Sequence, residues 1–209
     1  MKFTKFDTLE RLRKFMKTNP SWVSGFVDGE GCFTGSFQID KRSTWGLQPQ
    51  AEFNVVQNNV DRLLLEALKE HFDNRGGVYA RPNNMSVYSV RNTKDLREVI
   101  IPYFISYPLI SNKARELETF SKYLDLLSEN KHVGNTLNSK DQFWKLALIL
   151  KELNAKRLVG HKSDRLDLII DWLNNLTDVP SVEAKFNLRE KAKQLKLNKK
   201  NNDLLEISE

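Results

Sequence analysis

Two carboxylates lie close together in the segment Asn19–Phe33, which reads N-P-S-W-V-S-G-F-V-D-G-E-G-C-F. They belong to Asp28 and Glu30, which are separated by a single glycine. Carboxylate oxygens are the ligands that hard divalent cations such as Mg²⁺ prefer, and a bound cation can assist hydrolytic chemistry. The segment therefore predicts a divalent-metal site, although an acidic residue near a helix end is more often simply solvated.

A helix must position these carboxylates, and its start and end can be read from the sequence. Asn19 is a good N-cap, and Pro20 suits the first helical position, where its missing N–H costs nothing. Gly29 and Gly31 are expected to end the helix and to leave Glu30 at its carboxyl end. Because the negative pole of the helix dipole disfavours a carboxylate there, a bound cation would relieve the repulsion.

The same helix carries small residues at intervals of four, namely Ser21, Gly25 and Gly29. Residues with this spacing share one helical face, so the backbone of another helix could approach closely there. Tight packing within one core is the more common explanation of such spacing. Here the acidic D-G-E-G segment follows directly, so we expect a helix crossing that gathers metal ligands at an interface.

The composition indicates a soluble globular protein with a polyanionic partner. The chain has 209 residues, 40% of them hydrophobic and 29% charged, which suffices for one core domain with an appendage or for two small domains. A net charge of +6 favours nucleic acid as that partner, and no apolar run is long enough for a membrane span. A single cysteine, Cys32, excludes an intrachain disulfide, and neither a zinc-ligand spacing nor a secretory signal is apparent.

A period of two residues begins at Gly31 and predicts two antiparallel strands, with Phe33, Phe37 and Phe53 among the inward side chains. The outward side chains are mostly amides and hydroxyls. Such groups can pair with base edges, and a two-stranded ribbon fits the DNA major groove, although an ordinary solvated face is the alternative. These outward residues are Thr34, Ser36, Gln38 and Asp40 on the first strand and Gln48, Gln50, Glu52 and Asn54 on the second.

A helix is predicted over residues 59–73, followed by a second hairpin around the turn P-N-N. Arg81, Ser89 and Arg91 on this hairpin are candidates for phosphate or base contacts. The inward face of the helix is expected to comprise Val60, Leu63, Leu64, Ala67, Leu68 and Phe72.

Helices account for most of the remaining sequence. A short amphipathic helix is predicted over 7–17, and another over 94–104, ended by Pro102. A longer helix follows the segment Y-P-L-I-S-N-K and runs to about Ser128. Two more are predicted, one from Ser139 as N-cap to Asn154 and one over 163–176. Beyond Pro180 the chain becomes lysine-rich and predicts a basic helix with a frayed end. The fold class is therefore α+β, an αββαββα core with a curved antiparallel sheet backed by helices, plus C-terminal helices. The expected domains are an N-terminal extension at 1–18, a core domain at 19–176 and a basic tail at 177–209.

The segment Val23–Gly31, V-S-G-F-V-D-G-E-G, resembles the motif that names the LAGLIDADG homing endonucleases. Three further segments of that family follow in order: the strand entry G-C-F, F-N-V-V-Q at Phe53–Gln57, and Y-P-L-I-S-N-K at Tyr107–Lys113. The resemblance covers roughly residues 17–176. It implies a site-specific DNA endonuclease of the single-motif type.

The resemblance also implies roles for individual residues. Glu30 would bind the catalytic metal, expected to be Mg²⁺, with the Gly29 carbonyl as a backbone ligand; the family commonly has aspartate at the position of Glu30. Gln57 would arrange water near the scissile phosphate, and Lys113 would stabilise the charge of phosphodiester cleavage. Asp28 is interpreted as structural, in the helix cap. The DNA-binding residues would be Thr34, Ser36, Gln38, Asp40, Arg42, Gln48, Gln50, Glu52, Asn54, Arg81, Ser89 and Arg91.

A single motif in 209 residues implies a homodimer, in which two copies of the Ser21, Gly25, Gly29 face cross about a two-fold axis. Two Glu30 side chains would then reach neighbouring phosphates of opposite strands. The expected product is a double-strand break with short 3′ overhangs in a long, roughly palindromic site, promoting intron mobility. Enrichment in Asn and Lys suggests an AT-rich genome such as that of a mitochondrion or chloroplast.

Two other functions fit the same sequence. An RNA maturase would assist intron splicing without cutting DNA, and the basic tail from Lys185 could hold its RNA. A sequence-specific DNA-binding protein without catalysis would bind tightly and independently of metal. The tail could dock on DNA, complete the dimer or be disordered. The presence of Glu30, Gln57 and Lys113 favours the nuclease.

Overall fold

Two successive β-hairpins build the sheet of this protein, in a computed structural model that describes residues 8–130, 132–134, 136–155 and 162–206. The strands are β1 (Gly31–Ile39), β2 (Leu47–Asn58), β3 (Gly77–Arg81) and β4 (Met85–Val90). Their order in the sheet is β1-β2-β4-β3, and β4 pairs antiparallel with both β2 and β3. The structure confirms the α+β class and the two predicted hairpins.

The chain divides into two units, and the first hairpin contributes to both. The first unit comprises the described parts of Met1–Thr34 and Ala51–Leu124, and the second those of Gly35–Gln50 and Asp125–Glu209. The domain boundaries expected at residues 18 and 176 stay a prediction. Residues 1–7, at the start of the predicted N-terminal extension, lie outside the described residues.

The first unit contains the helices that surround the candidate site. Predicted helices at the N-terminus, after β2 and before Ser128 are present, with small differences in their ends. They are α1 (Leu9–Thr18), α2 (Pro20–Glu30), α3 (Arg62–His71), α4 (Thr93–Asp95), α5 (Ile101–Ser106) and α6 (Lys113–Ser128).

Aromatic rings fill the core of the first unit beneath the sheet. The ring of Phe33 on β1 lies 5.1 Å from that of Phe53 on β2, 5.8 Å from that of Phe104 on α5 and 5.5 Å from that of Phe120 on α6. All four side chains are buried. Because Phe33 follows the end of α2 by three residues, this packing fixes the start of β1 against α5 and α6.

The predicted inward face of α3 is wrong at two positions. Val60 is 80% exposed because it lies in a tight turn, Asn59–Asp61, before α3 begins. Leu63 is also exposed, whereas Leu65, which the pattern left out, is buried. Since α3 packs against both α1 and β4, its buried arc is turned relative to the one that the sequence pattern predicted.

Pro102 does not end a helix as predicted. The chain passes from α4 through one π-helical turn, Leu96–Ile100, into α5, and Pro102 lies in the first turn of α5. Proline is tolerated there because the first N–H groups of a helix lack an intrahelical partner. The helix ends at Ser106 instead of residue 104.

In the described part of the second unit, three helices follow the end of α6: α7 (Leu137–Asn154), α8 (Lys162–Asn175) and α9 (Val182–Glu206). The predicted N-cap of α7 was Ser139, but the side chain of Thr136 accepts the capping hydrogen bond, from the N–H of Ser139. Ser139 is buried and its hydroxyl accepts from the indole N–H of Trp45. Among the helices of the described part, none has the length and apolar character to cross a bilayer.

Candidate active site and DNA-facing strands

The helix α2 ends at Glu30, as predicted, but its caps differ from the prediction. The amide of Asn19 donates to the carbonyl of Phe15 at 2.9 Å, so this side chain closes the end of α1 instead of capping α2. Gly29 lies within α2, and Gly31 alone provides the exit. A Cβ on Gly31 would lie 2.5 Å from Cγ1 of Val27 and 2.7 Å from its carbonyl oxygen, so the close turn from α2 into β1 requires glycine.

Asp28 ties the end of α2 to the segment that precedes α6. Its Oδ2 accepts from the N–H groups of Ile110 (2.8 Å) and Ser111 (3.1 Å), and its Oδ1 accepts from the Ser111 hydroxyl (2.7 Å). Partial burial works to raise the pKa of Asp28, but these hydrogen bonds and the charge of Lys113 outweigh it and lower the pKa. These bonds agree with the interpretation of Asp28 as a structural residue. Its carboxylate binds the segment just before α6, however, and does not cap α2.

Lys113 lies at the same helix end. Its ammonium donates a short hydrogen bond to the carbonyl of Gly31, the residue next to Glu30. The N–H of Lys113 donates to the Ser111 hydroxyl at 3.1 Å, so Asp28 and Lys113 share Ser111 as a partner. The fold thus brings a cation to the carboxyl end of α2 from 82 residues along the chain.

Glu30 and Gln57 complete the set of predicted catalytic residues. Glu30 is exposed at the negative end of α2. Gln57 is half-buried near the end of β2, opposite Ser86 on β4. Because β1 and β2 form a hairpin, the end of β2 lies beside the start of β1, where α2 delivers Glu30.

The donor set at this helix end suits a hard divalent cation. It combines the carboxylate of Glu30 with the backbone carbonyls of the last helical turn, which lack intrahelical partners in any α-helix. Within the described ranges, no group of three or more His, Cys, Asp or Glu side chains could hold a metal. With Glu30 as the carboxylate ligand, water or DNA phosphate would have to complete the coordination shell.

The small-residue face of α2 is open. Ser21, Gly25 and Gly29 are all exposed, whereas Val23 and Val27 on other sides of the helix are buried. A Cβ placed on Gly25 or Gly29 would have no described heavy atom within 4 Å beyond the helix itself and the neighbouring residues. Tight packing against the described residues of this chain, the more common explanation of such spacing, therefore does not apply.

In the first unit, three of the predicted DNA-binding residues bond to one another. Glu52 accepts from the hydroxyl of Ser89 and from Nε (3.2 Å) and a terminal nitrogen (3.1 Å) of Arg91. Ser89 is only 4% exposed and Asn54 only 8%, so neither presents its polar group freely to solvent. Thr34 is half-buried, and Arg81, at the end of β3, is exposed.

In the second unit, the polar residues of the first hairpin are mostly exposed, as predicted for Ser36, Gln38, Gln48 and Gln50. The amide of Gln50 donates to Oε1 of Gln38 at 2.7 Å, which joins the two strands on this face. At the tip, Asp40 accepts from Nε (3.0 Å) and a terminal nitrogen (2.8 Å) of Arg42. These bonds lower the pKa of Asp40 to about 2.

Comparison with known proteins identifies the family. The family model described as LAGLIDADG endonuclease matches residues 23–124, which include α2 from Val23 onward, the whole sheet and Lys113. Probable intron-encoded endonuclease 2 of Neurospora crassa is 32% identical over 171 residues, which cover 78% of this chain and 37% of that protein. The chain belongs to the LAGLIDADG endonuclease family.

Solved LAGLIDADG structures share the fold. The homing endonuclease I-TnaI is 27% identical with a TM-score of 0.64, over 74% of this chain and 97% of that one. I-SmaMI, bound to an uncleaved DNA target in the presence of calcium ions, is 27% identical with a TM-score of 0.59, over 66% of this chain and 48% of that one. The chain spans 22% to 37% of the length of three curated relatives that it matches.

Sequence reasoning missed several contacts that support the LAGLIDADG helix, α2. Ser24 is buried and its hydroxyl donates to the carbonyl of Tyr107 at 2.7 Å, and the hydroxyl of Tyr103 donates to the carbonyl of Pro20 at 3.0 Å. Ser111 was read only as part of the segment before α6. A serine hydroxyl gives no sequence signal of a partner more than 80 residues away, so these pairings were not predictable.

Asp28→Asn is expected to destabilise the LAGLIDADG domain by about 1–2 kcal/mol at pH 7, because it weakens three hydrogen bonds to a carboxylate. The folded pKa of Asp28 is lowered, so its contribution is present above the unfolded pKa of about 4 and is lost as pH falls through the folded pKa. Urea denaturation at pH 7 and pH 3 measures this. The difference between wild type and variant should shrink at pH 3, whereas exposed Asp171→Asn should change little at either pH.

Proposed function

We propose that this domain is a site-specific homing endonuclease that cleaves both strands of DNA. The observation that carries the proposal is the bond from the ammonium of Lys113 to the carbonyl of Gly31, the residue that follows Glu30 at the carboxyl end of α2. A carboxylate and a cation at one exposed helix end supply the two charges that phosphodiester hydrolysis needs. The net charge of +6 supports a polyanionic substrate.

The metal in this proposal is Mg²⁺, held by the carboxylate of Glu30 and the carbonyl of Gly29. The donors are hard oxygens, and the calcium ions named with the I-SmaMI complex are of the same hard class. When bound, the cation would polarise a phosphate oxygen and activate water. Lys113 would stabilise the negative charge that develops on the phosphate, and Gln57 would orient the attacking water by hydrogen bonding.

The proposed active form is a homodimer built on the open face of α2. Two copies of the Ser21, Gly25, Gly29 face would cross closely, because glycine permits short distances between helix backbones. The crossing would bring one Glu30 from each copy towards the same DNA duplex. Two-fold symmetry then predicts a long, roughly palindromic target.

DNA recognition is assigned to the polar side chains of the strands. Exposed Gln38, Gln48 and Gln50 are candidates for base contacts, since amides can pair with base edges. Arg42 and Arg81 are exposed and suit phosphate or guanine. Glu52 bonds both Ser89 and Arg91, so a DNA contact made by one of these three residues would affect the other two. We therefore treat them as one cluster. Thr34, Ser36, Asp40 and Asn54 complete the proposed set.

The product would be a double-strand break with short 3′ overhangs, which would promote intron mobility. Relatives described as intron-encoded endonucleases support this role. An organelle genome, mitochondrial or chloroplast, is the proposed setting.

Cleavage of a plasmid library that carries candidate intron-insertion sites tests the proposal. With Mg²⁺ we expect double-strand breaks in one long site, and sequencing of the ends should show short 3′ overhangs. Tight binding without cutting, with or without EDTA, would instead identify a DNA-binding protein. If the protein cuts no site but accelerates splicing of an intron RNA, the maturase function replaces the nuclease.

A further inference from the structure

The tip of the first hairpin, Asp40–Gly46, is a tight turn with several internal hydrogen bonds. The N–H of Asp40 donates to the carbonyl of Gly46 at 2.9 Å, and the N–H of Gly46 donates to the carbonyl of Ser43 at 3.2 Å. Gly46 has a φ of +74°, a conformation that favours glycine. Arg42 projects from this turn with its side chain 82% exposed, oriented by Asp40.

Two helices of the second unit, α7 and α8, bond to the hairpin before and within this turn. Arg165 on α8 donates to the carbonyl of Phe37 at 3.2 Å, and Trp172 on α8 donates to the carbonyl of Trp45 at 3.4 Å. The indole of Trp45 is buried and donates to the Ser139 hydroxyl on α7 at 2.9 Å. The bonds from α8 hold the main chain of the hairpin, and the bond to Ser139 holds the side chain of Trp45. Arg42 and Gln50 stay exposed.

Lys185 on α9 makes the contact nearest the centre of the turn. Its ammonium donates to the carbonyl of Ser43 at 2.9 Å, and its residue is only 8% exposed. A Cβ on Gly46 would lie 3.1 Å from Cγ of Lys185, so the stem of the lysine packs directly on the turn. Burying an ammonium costs free energy unless a partner compensates. If residue 185 only filled space against the turn, an apolar side chain would serve better than lysine.

The burial of Lys185 also distinguishes it from other lysines of α9. Lys191 and Lys196 are exposed, as expected for a solvated basic helix. Because Lys185 is buried and its ammonium donates to the carbonyl of Ser43, it presents little surface to a DNA phosphate. Its effect on DNA must therefore pass through the conformation of residues 40–46.

We propose that Lys185 is a positioning residue for DNA recognition, which holds the turn Asp40–Gly46 in the conformation that presents Arg42 to the bases. The inference rests on the proposed DNA recognition by the first hairpin. It assigns to the C-terminal basic helix a role in specificity, where the sequence suggested a nucleic-acid-binding tail.

The test compares Lys185→Met with Lys191→Met, since both remove one positive charge and only the first removes the bond to Ser43. Wild type and both variants select sites from a randomised DNA duplex library, and Arg42→Ala identifies the base pairs that the turn reads. We expect Lys185→Met to lose about tenfold in discrimination at those same base pairs. Lys191→Met should keep the wild-type base preferences and reduce the salt dependence of affinity by about one unit of slope.

Hydrogen exchange without DNA tests the positioning step separately. In Lys185→Met the N–H groups of Asp40 and Gly46 should exchange at least about tenfold faster, with the sheet unaffected. Unchanged exchange, or base preferences equal to those of Lys191→Met, overturns the inference. If wild type itself selects no site, the proposed function fails instead. Should Lys185→Met not fold, Trp172→Phe removes the neighbouring bond to Trp45, and the same relaxed base pairs are expected.

Discussion

Glu30→Gln is expected to abolish DNA cleavage while DNA binding persists. Glutamine keeps the size of the side chain but removes the negative charge that would hold the metal, so the rate should fall by about 10³-fold or more. Glu30 is exposed at the end of α2, so the substitution should leave the fold and the sheet unchanged. Plasmid cleavage with Mg²⁺ and a gel-shift assay on the selected site measure the two quantities.

Glu183→Gln provides the matched control for Glu30→Gln. Glu183 is an exposed carboxylate in the first turn of α9, and its loss changes the net charge by the same amount. Its cleavage rate should equal that of wild type. Wild-type rates in Glu30→Gln, with an unchanged Mg²⁺ requirement, would remove Glu30 from the metal site and with it the assigned mechanism.

Gly25→Leu is expected to abolish dimer formation and double-strand cleavage while it stabilises the isolated chain. A leucine on the open face of α2 would prevent the close crossing of two helices. Because a side chain at Gly25 meets open space, the same change should raise the free energy of unfolding of the monomer by about 0.5–1 kcal/mol, the usual gain when a helical glycine is replaced.

Sedimentation and urea denaturation at low protein concentration measure the two effects of Gly25→Leu. Asn174→Leu, which adds a leucine to an exposed position of α8, should leave association unchanged. A Gly25→Leu protein that still sediments as a dimer would place the interface elsewhere. A monomeric variant with a lower free energy of unfolding than wild type would show that this face is packed within the chain.

Local signals predicted the elements that carry the site. Helix α2 and both hairpins were predicted from features that depend only on neighbouring residues. These are the two glycines around Glu30, the period of two after Gly31 and the turn P-N-N. Helix α3 shows the limit of such patterns. Helix α3 packs against α1 on one side and β4 on another, and these contacts determine which leucines are buried. Such long-range packing cannot be read from the local pattern of residues.

Long-range hydrogen bonds were beyond sequence reasoning from the residues alone. Nothing local indicates that the carboxylate of Asp28 accepts from Ser111 or that Lys113 reaches Gly31, 82 residues away. The family resemblance supplied a role for Lys113 but not its contact. Lys185 was likewise predicted in a basic helix that could hold RNA, and its burial against Gly46 depends on how α9 packs.

The metal position tests the central claim most directly. Crystals of the protein with its selected DNA site, soaked in Mn²⁺ as a stand-in for Mg²⁺, would locate the ion by anomalous diffraction. We predict Mn²⁺ bound to the carboxylate of Glu30 and to the carbonyl of Gly29, at about 2.1–2.2 Å from each oxygen and in contact with a DNA phosphate. Manganese at other residues, or Glu30 without an ion while DNA is cut, would contradict the account.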